Sequence, residues 1–457
     1  MHAAILVFSI VVSGTLGDLA DPTALTDQLG SPRFAQREAA ELALSQLGRG
    51  AIPALRGALT SRDPEVRSRA AAILRRIEAA LLVEPTQVQL RLADAPITEA
   101  VDAINKQAGL KLTLAPEIPA IWANRRVSVE SAQPLPFWRA IDALCEAGQL
   151  HYVFGGQSDF DLGDSAFPLY DGFAANRGVF DDQGPFRIQL ASLHCQSEVH
   201  LSTDQSRTEV VRRSGPTATN PSTVRNLQSK QFFLQMLVGA EPRLSVAPAG
   251  PVKLLEAVDD QGRSLVMPPR SEIIQHESGY LGVNPSPLVH IRLDLAYPDQ
   301  PAARLKKVKG LIPLIVSTRQ PDPLVVPLAG ASNKTFPGAK VVISVGDVHL
   351  GQPDQVSTIE LSIKSVDKTL GEGAANDPEA GAIRSVVSPQ QLEVLDSAGR
   401  MIPWFPSSSF YNGEEAKLTL TLLDRGAAPM VPTTIRYHDL IRDRAEVPFE
   451  FRDLPMP

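Results

Sequence analysis

The stretch that decides the fold begins at Val88 with VQLRLADAPITEAVDAINKQAGLKLTL and resumes at Arg126 with RVSVESAQPLPFWRAIDALCEAGQLHYVF. In the first half Val88, Leu90 and Leu92 alternate with polar residues, which is the period of a half-buried strand. From Ile97 onward the apolar residues recur at helical spacing and form one stripe. Each half therefore predicts a strand, an amphipathic helix and a second strand.

The second helix repeats the first at a spacing of 40 residues. The matching pairs are Pro96 with Pro136, Ala100 with Ala140, Asp102 with Asp142, Ala103 with Ala143 and Leu110 with Leu150. Proline is favoured in the first turn of a helix, and glycine, here Gly109, is favoured just past its end. The duplication predicts a small βαβ-βαβ domain over residues 86–155, with both helices on one face of a small sheet.

This pattern resembles the short N-terminal domains of secretins and TonB-dependent receptors, which belong to the Gram-negative cell envelope. The residues that carry the resemblance are the D-x-P-hydrophobic-x-x-A sequence at 94–100 and the Gly-Leu pair at 109–110. In that family the domain docks onto neighbouring envelope proteins or stacks into rings, and it carries no catalytic residues. No secretin or receptor-barrel sequence follows it in this chain.

Residues 1–17 are predicted to be a signal peptide. The apolar run at 3–16 is too short to span a bilayer and ends in small residues before Asp18. No Lys or Arg precedes the run, so whether Met1 is the true start stays open, and a buried helix is the alternative. A cleaved signal predicts an exported protein, either periplasmic or extracellular at the cell envelope. No later segment has the length and apolarity of a membrane span.

Residues 18–85 are predicted to form a helical arm of two repeats. The repeats align at a spacing of 30 residues, which pairs Leu25 with Leu55, Leu29 with Leu59, Arg37 with Arg67 and Leu44 with Leu74. Each unit is a short helix, a polar turn and a longer amphipathic helix. The arrangement is similar to HEAT-type repeats, including the D-P-x-V-R corner at 63–67.

The arm is rich in arginine although the whole chain is acidic. One interpretation is a docking face for an acidic partner, in which Arg67 takes part. The other is an ordinary solvated helix face, with Arg67 binding the turn between the two helices of its repeat. The arginines are Arg33, Arg37, Arg49, Arg56, Arg62, Arg67, Arg69, Arg75 and Arg76.

The rest of the chain is predicted to be a linker and two antiparallel β-sandwich domains. Residues 156–184 are rich in Gly, Asp and Phe without periodicity, which is typical of a linker. From 185 onward, short alternating segments are bounded by Gly, Pro, Asp or Asn, as in sandwiches. The sequence at 255–263 matches that at 392–400, including a D-x-x-G turn followed by Arg. We therefore expect two related sandwiches, at 185–330 and 331–457.

Composition and motifs argue against several classes of function. A net charge of −7 disfavours nucleic-acid binding. Two cysteines, Cys145 and Cys195, provide neither a disulfide framework nor a four-cysteine zinc site. The sequence has no nucleophile elbow, phosphate-binding loop, H-E-x-x-H or dinucleotide-binding glycine pattern. We predict no enzyme activity, no cofactor and no metal.

The loop between the two halves of the small domain contains the best candidate for a contact residue. Trp122 is followed by Arg125 and Arg126, and a tryptophan beside arginines is typical of interface hot spots. The alternative is that Trp122 closes the core of the small domain itself.

The sequence as a whole predicts a multidomain α+β protein with HEAT-like helical hairpins, a small envelope-type domain and two antiparallel β-sandwiches. The predicted function is a non-enzymatic, exported scaffold that binds other envelope proteins, with Trp122, Arg125, Arg126 and Arg67 as partner-binding residues. The alternative is a carbohydrate-binding or carbohydrate-active protein that uses a sandwich surface. The sequence does not fix the partner or the oligomeric state.

Overall fold

The computed structural model describes most of the chain after residue 20, and the chain divides into two compact units, 1–81 and 82–457. The predicted signal peptide at 1–17 lies outside the described residues. Within the described part, no helix combines the length and the apolarity needed to cross a bilayer. The described ranges are 21–109, 111–116, 118–153, 166–172, 178–202, 225–267, 288–298, 300, 302–350, 356–366, 391–411, 415–423 and 431–456.

The first unit is helical. Its helices are α1 (Pro22–Gln28), α2 (Phe34–Leu47), a 3₁₀ turn (Gly48–Ala51), α3 (Ile52–Ala58) and α4 (Pro64–Val83). Alanine and leucine dominate its core, so the helices approach closely. The buried residues are Leu25, Leu29, Ala40, Leu44, Ala51, Leu55, Ala58, Val66, Ala70, Ile73, Leu74 and Ile77.

The second unit begins with the small domain. Its elements are β1 (Gln87–Val88), β2 (Arg91–Pro96), α5 (Ile97–Ala108), β3 (Lys111–Ala115), α6 (Pro119–Trp122), β4 (Arg126–Glu130), β5 (Leu135–Pro136), α7 (Phe137–Gly148), β6 (Leu150–His151) and β7 (Ala166–Asp171). Strand β2 pairs with β4 and β1 pairs with β5, whereas β7 lies between β3 and β6. The strands thus form three small sheets, not the single predicted sheet, and α5 and α7 bury their apolar stripes in one shared core.

The predicted linker at 156–184 is partly wrong, because two segments of it are strands. Strand β7 pairs in parallel with β3 and completes the small domain. Strand β8 (Val179–Gln183) pairs with the first long strand of the next domain. Residues 154–165 and 173–177 lie outside the described residues.

The first sandwich packs two antiparallel sheets around one core. One sheet has the order β13-β10-β9-β8, and the other is built around β14, which pairs with β11, β12 and β23. Its further strands are β9 (Phe186–Ser202), β10 (Arg225–Ala240), β11 (Ser245–Pro248), β12 (Lys253–Asp259), β13 (Leu288–Leu295), β14 (Arg304–Arg319) and β23 (Leu440–Pro455).

The second sandwich has the same plan. Its sheets have the orders β15-β22-β19 and β16-β17-β18-β21-β20, and they enclose a separate core. Its strands are β15 (Leu324–Pro327), β16 (Lys334–Pro337), β17 (Val341–His349), β18 (Thr358–Ser365), β19 (Leu392–Asp396), β20 (Trp404–Tyr411), β21 (Glu415–Leu422) and β22 (Pro432–Tyr437).

The two sandwiches exchange strands. After β14 the chain crosses to the second sandwich, where β15 pairs with β22; after β22 it crosses back, and β23 pairs with β14 along 304–319. The segments 304–327 and 432–455 therefore run antiparallel as a ribbon that passes through both domains. The predicted boundary of the second sandwich, 331–457, is wrong at its end, because β23 completes the first sandwich.

The duplicated turns occupy equivalent positions. Asp259 ends β12 and accepts hydrogen bonds from the backbone N–H of Gln261 (2.9 Å) and of Arg263 (2.8 Å). Asp396 ends β19 and accepts them from Ala398 (2.9 Å) and Arg400 (2.8 Å).

In each turn the arginine Nε also donates to the aspartate, at 2.6 Å from Arg263 and 2.7 Å from Arg400. Strand β12 pairs with β14 as β19 pairs with β22. The predicted correspondence of the two turns is confirmed.

The predicted α+β class is wrong. Among the described residues 49% lie in strands and 25% are helical, in several separate sheets, so the protein is mainly β. The helices at 22–83 close on one core instead of forming the predicted HEAT-like array, since an array needs about three units to bury a continuous core. The sequence interpretation also omitted β7 and β8.

Replacing Phe449 of β23 with Ala tests the strand exchange. Phe449 is 1% exposed in the core of the first sandwich, so we expect a loss of about 3–5 kcal/mol of stability there. Hydrogen exchange measured by mass spectrometry should accelerate in β9, β10 and β14 more than in β17 and β18. The control is Phe410→Ala, at a residue that is 61% exposed. Acceleration centred on β17 and β18 would contradict the exchange.

The Asp259 turn predicts a pH-dependent stability. Although burial opposes it, the hydrogen bonds from the backbone and side chain of Arg263 lower the pKa of Asp259. A lowered folded-state pKa gives stability that is present above the unfolded value of about 4 and is lost as the pH falls through the folded value. Asp259→Asn should therefore lower the melting temperature at pH 7. The difference from the wild type should shrink below about pH 4, and a constant difference down to pH 2 would contradict the assignment.

Candidate partner-binding edge of the small domain

The core of the small domain contains Trp122. Its side chain is 3% exposed, and its indole Nε1 donates to the Pro116 carbonyl at 2.9 Å. The prediction that Trp122 belongs to a partner surface is therefore wrong, and the alternative of a core residue holds. The sequence could not decide this because α6, which ends at Trp122, is short and lacks periodicity.

The three predicted arginines have internal partners. Arg125 stacks over Trp122, 5.2 Å from the ring centre, and its Nη2 lies 2.6 Å from Asp171 of β7. Arg126 is half exposed and pairs with Asp94 at 2.8 Å. In the helical unit, Arg67 donates to the Ser61 carbonyl at 2.7 Å, which is the turn-binding alternative. These contacts give each arginine a structural role.

Strand β2 has an open edge. Leu90 donates to Ser131 Oγ at 3.1 Å and accepts from the Ser131 N–H at 3.0 Å, so its backbone faces the β4 side. Because backbone groups of successive residues point to opposite edges, those of Gln89 and Arg91 face away from β4. Among the described strands β2 pairs with β4 alone.

A groove separates this edge from α5. Its walls are the strand and one face of the helix. Leu92 supplies partly exposed apolar surface, whereas Leu90 and Ile104 are core residues that are each 1% exposed. Ala103 keeps the helix wall low, because it has only a methyl side chain. The lining residues are Gln89, Leu90, Arg91, Leu92, Ala103, Ile104 and Gln107.

In this groove the side chain of Gln107 makes the hydrogen bonds that a neighbouring strand would make. The amide of Gln107 accepts from the Gln89 N–H at 2.9 Å and donates to the Gln89 carbonyl at 3.1 Å. This donor and acceptor pair is the one that a peptide group of an adjacent antiparallel strand presents. The edge is therefore satisfied at Gln89 by an exposed side chain, and an incoming main chain can replace that side chain.

The small domain is fixed on the first sandwich by Arg187 of β9, which is 1% exposed. Its guanidinium donates to Asp142 of α7 at 2.8 and 2.7 Å and to Asp182 of β8 at 2.6 and 2.7 Å. It also contacts the Tyr152 hydroxyl and stacks over Trp138. Burial alone disfavours the charge, but the bonds to Asp182 and Asp142 raise the pKa of Arg187 above its ordinary value.

A second buried charge ties the start of the small domain to the same sandwich. Glu241 is fully buried, and it accepts hydrogen bonds from the Thr86 N–H at 2.9 Å and the Thr86 hydroxyl at 2.5 Å. Arg243 balances its charge at 2.9 Å. On α7 the Trp138 indole donates to the Pro185 carbonyl at 3.0 Å. The small domain and its groove are thus held on the first sandwich at several points.

Other histidine and cysteine side chains lie outside the residues that line this groove. Within the described residues no cluster of three His, Cys, Asp or Glu side chains is arranged to hold a metal. His194 stacks on Phe233 with 4.6 Å between ring centres and lies 2.7 Å from Ser192 Oγ, and the side chain of His200 is outside the described set. Neither Cys145 nor Cys195 forms a disulfide bond.

Comparison with known proteins gives no relative: no protein-family model, no curated protein and no solved structure matches the chain.

Sequence analysis missed both Arg187 and the Gln89–Gln107 pair. Arg187 lies between Phe186 and Ile188, and a charged residue inside an apolar strand is a signal of a buried ion pair. No sequence signal marks Gln107, because glutamine is common on exposed helix faces.

Two substitutions separate the core residue from the surface residue of the loop. Trp122→Ala should destabilise the small domain by about 3–5 kcal/mol, because it empties a buried site. Arg126→Ala should cost at most about 1 kcal/mol, because its ion pair is solvent-exposed. Hydrogen exchange in α5 and α7 provides the local measurement. Equal exchange in the two variants would contradict the core placement of Trp122.

Proposed function

We propose that this protein is an exported, non-enzymatic scaffold that captures an extended segment of a partner protein along the open edge of β2. The observation that carries the proposal is the Gln107 amide on the backbone of Gln89, at 2.9 and 3.1 Å. The Gln107 side chain satisfies the backbone hydrogen bonds of Gln89, and it can move away when a partner strand binds. The partner is expected to be another protein of the cell envelope.

Strand addition explains why the groove has both a polar and an apolar side. In this mode of recognition, main-chain hydrogen bonds to the sheet edge give affinity, and pockets for alternate side chains give specificity. Here the backbone of Gln89 and Arg91 supplies the hydrogen bonds. The space between β2 and α5, with Ile104 at its floor, takes the side chains that point towards the domain.

The attachment of the small domain to the first sandwich supports a scaffold function. Arg187 and Glu241 are both buried and paired where the small domain contacts the first sandwich. Buried charged groups with several partners resist displacement, because separating them exposes uncompensated charge. A groove held in this way presents a bound segment at a defined place relative to the sandwiches.

Export and the envelope location rest on the sequence. The apolar run at 3–16 ending before Asp18 supports a signal peptide, and the resemblance of residues 86–155 to envelope domains supports the same compartment. N-terminal sequencing of the native protein tests this part of the proposal separately from the groove.

Peptides selected by phage display of random linear sequences against the full chain test the groove. We expect selected peptides to bind the wild type and to lose at least about tenfold in affinity with Arg91→Pro, which removes the N–H at the open edge without touching the β4 ladder. Ala103→Arg should block binding by filling the groove. Gln107→Ala should strengthen it, because the competing amide is gone.

The matched control is Arg91→Ala, which removes the same side chain and keeps the N–H. Fluorescence anisotropy of a labelled peptide gives each dissociation constant, and circular dichroism of each variant verifies folding. If Arg91→Pro and Arg91→Ala bind equally, or Ala103→Arg binds like the wild type, the segment does not occupy the β2 edge.

A further inference from the structure

The outer face of the five-stranded sheet in the second sandwich carries an ordered set of polar side chains. One row crosses all five strands through directly opposed residues, Thr335, Ser344, Ser362, Lys417 and Phe410. Opposed residues of an antiparallel sheet point to the same face, so these side chains form one continuous line.

A second row lies beside the first. It runs through Glu360, Thr419 and Ser408, on β18, β21 and β20. The inner face of the same strands is apolar, with residues such as Leu361 and Leu418 in the core. The hydroxyl groups are therefore concentrated on the face that the sandwich does not use for its own packing.

The two rows form the floor of a groove. Short side chains, Ser344, Ser362 and Thr419, lie in the middle, and longer ones rise at Asn333 and Phe410 on the two sides. Gly346 deepens the floor, since a Cβ there would stand 3.0 Å from Glu360 Cβ and 3.1 Å from its Oε2. The absence of that side chain lets the Glu360 carboxylate lie across the groove.

Phe410 of β20 lines the groove, and a second phenyl ring, Phe405, lies farther along the same strand. Phe410 is 61% exposed and Phe405 is 41% exposed. Phe405 opposes Thr421 and Phe410 opposes Lys417, so both rings are on the outer face. At about 3.3 Å per residue they are roughly 15 Å apart along the strand. One ligand that touches both must be an extended chain.

We infer that this groove binds an oligosaccharide of several neutral sugar rings. Sugar rings combine apolar C–H faces, which stack on exposed phenyl rings, with hydroxyl groups. These hydroxyls donate to Ser, Thr and carboxylate oxygens and accept from Ser and Thr hydroxyls. Glu360 and Lys417 line the groove, and Glu415 accepts a hydrogen bond from the Ser362 hydroxyl at 2.5 Å, so the charged groups do not favour an anionic ligand. This site is on the second sandwich, and it extends the proposed scaffold by a second kind of ligand.

Other ligand classes fit the groove less well. A nucleic acid requires several cationic groups along its phosphates, and among the groove residues Lys417 alone is cationic. A peptide that adds a strand uses a sheet edge, and one that uses a face needs apolar pockets. The floor here consists mainly of hydroxyl groups, a carboxylate and a glycine.

Titration calorimetry of the full chain with cellohexaose, xylohexaose and the hexamer of N-acetylglucosamine tests the inference. Co-sedimentation with insoluble chitin, an uncharged polymer of N-acetylglucosamine, tests the same chemistry in a wall polymer. We expect at least one of these probes to bind with a dissociation constant of about 1 mM or tighter. Phe410→Ala should weaken that binding about tenfold, and Ser344→Arg should abolish it by filling the floor.

The matched control is Phe34→Ala, which removes a phenyl ring that is 64% exposed on α2 and should leave binding unchanged. Binding of the hexamers alone would indicate a soluble ligand, and binding of chitin would indicate a wall polymer. If no probe binds, or if Phe410→Ala and Ser344→Arg bind like the wild type, the groove is not a saccharide site. Peptide capture at β2 is measured independently, so either result leaves that test intact.

Discussion

The buried guanidinium of Arg187 determines where the small domain stands. Four hydrogen bonds to Asp142 and Asp182 hold it between α7 of the small domain and β8 of the first sandwich. A buried charge is costly unless it is paired, and once paired it makes separation costly as well. Glu241 is a second buried charge that is paired in the same way. It binds Thr86, where the small domain begins, and Arg243. The groove between β2 and α5 owes its fixed position to these two charges.

The exchanged strands extend this rigidity along the chain. A β-sheet strand gains stability from partners on both edges, and β14 finds one of its partners in β23, more than a hundred residues later in sequence. Strand β15 in turn completes the second sandwich. Neither sandwich can lose its exchanged strand without exposing an edge and part of its core. At the crossing, Glu393 binds Arg319 and lies 3.3 Å from His438, which lowers the pKa of Glu393.

Local features of the fold could be predicted from the sequence. The apolar stripes of α5 and α7 and the D-x-x-G turns at Asp259 and Asp396 depend on residues close together in the chain. Strand β7 was missed because AFPLYD is short and contains a proline. The position of β23 was missed because pairing between residues 304 and 455 leaves no trace in local periodicity. The HEAT-like prediction failed because sequence similarity between two helical units does not show whether the units stack into an extended array.

The candidate site was harder to predict than the fold. The composition of the loop predicted Trp122 as a contact residue. Its ring is apolar, however, and the small domain buries it in its core. The open edge depends on which backbone groups face β4, and this is set by the register of β2 with β4. Sequence reasoning placed the contact surface at Trp122, which is a core residue; the groove beside β2 is proposed in its place.

Residue-resolved amide hydrogen exchange, with and without a selected peptide, tests strand addition at β2 most directly. Peptide binding at β2 should slow exchange at the Arg91 amide, which faces the open edge, by at least tenfold. Exchange at the Leu92 amide, which faces β4, should change little. Unchanged exchange at Arg91 in the peptide-bound protein would contradict strand addition at β2.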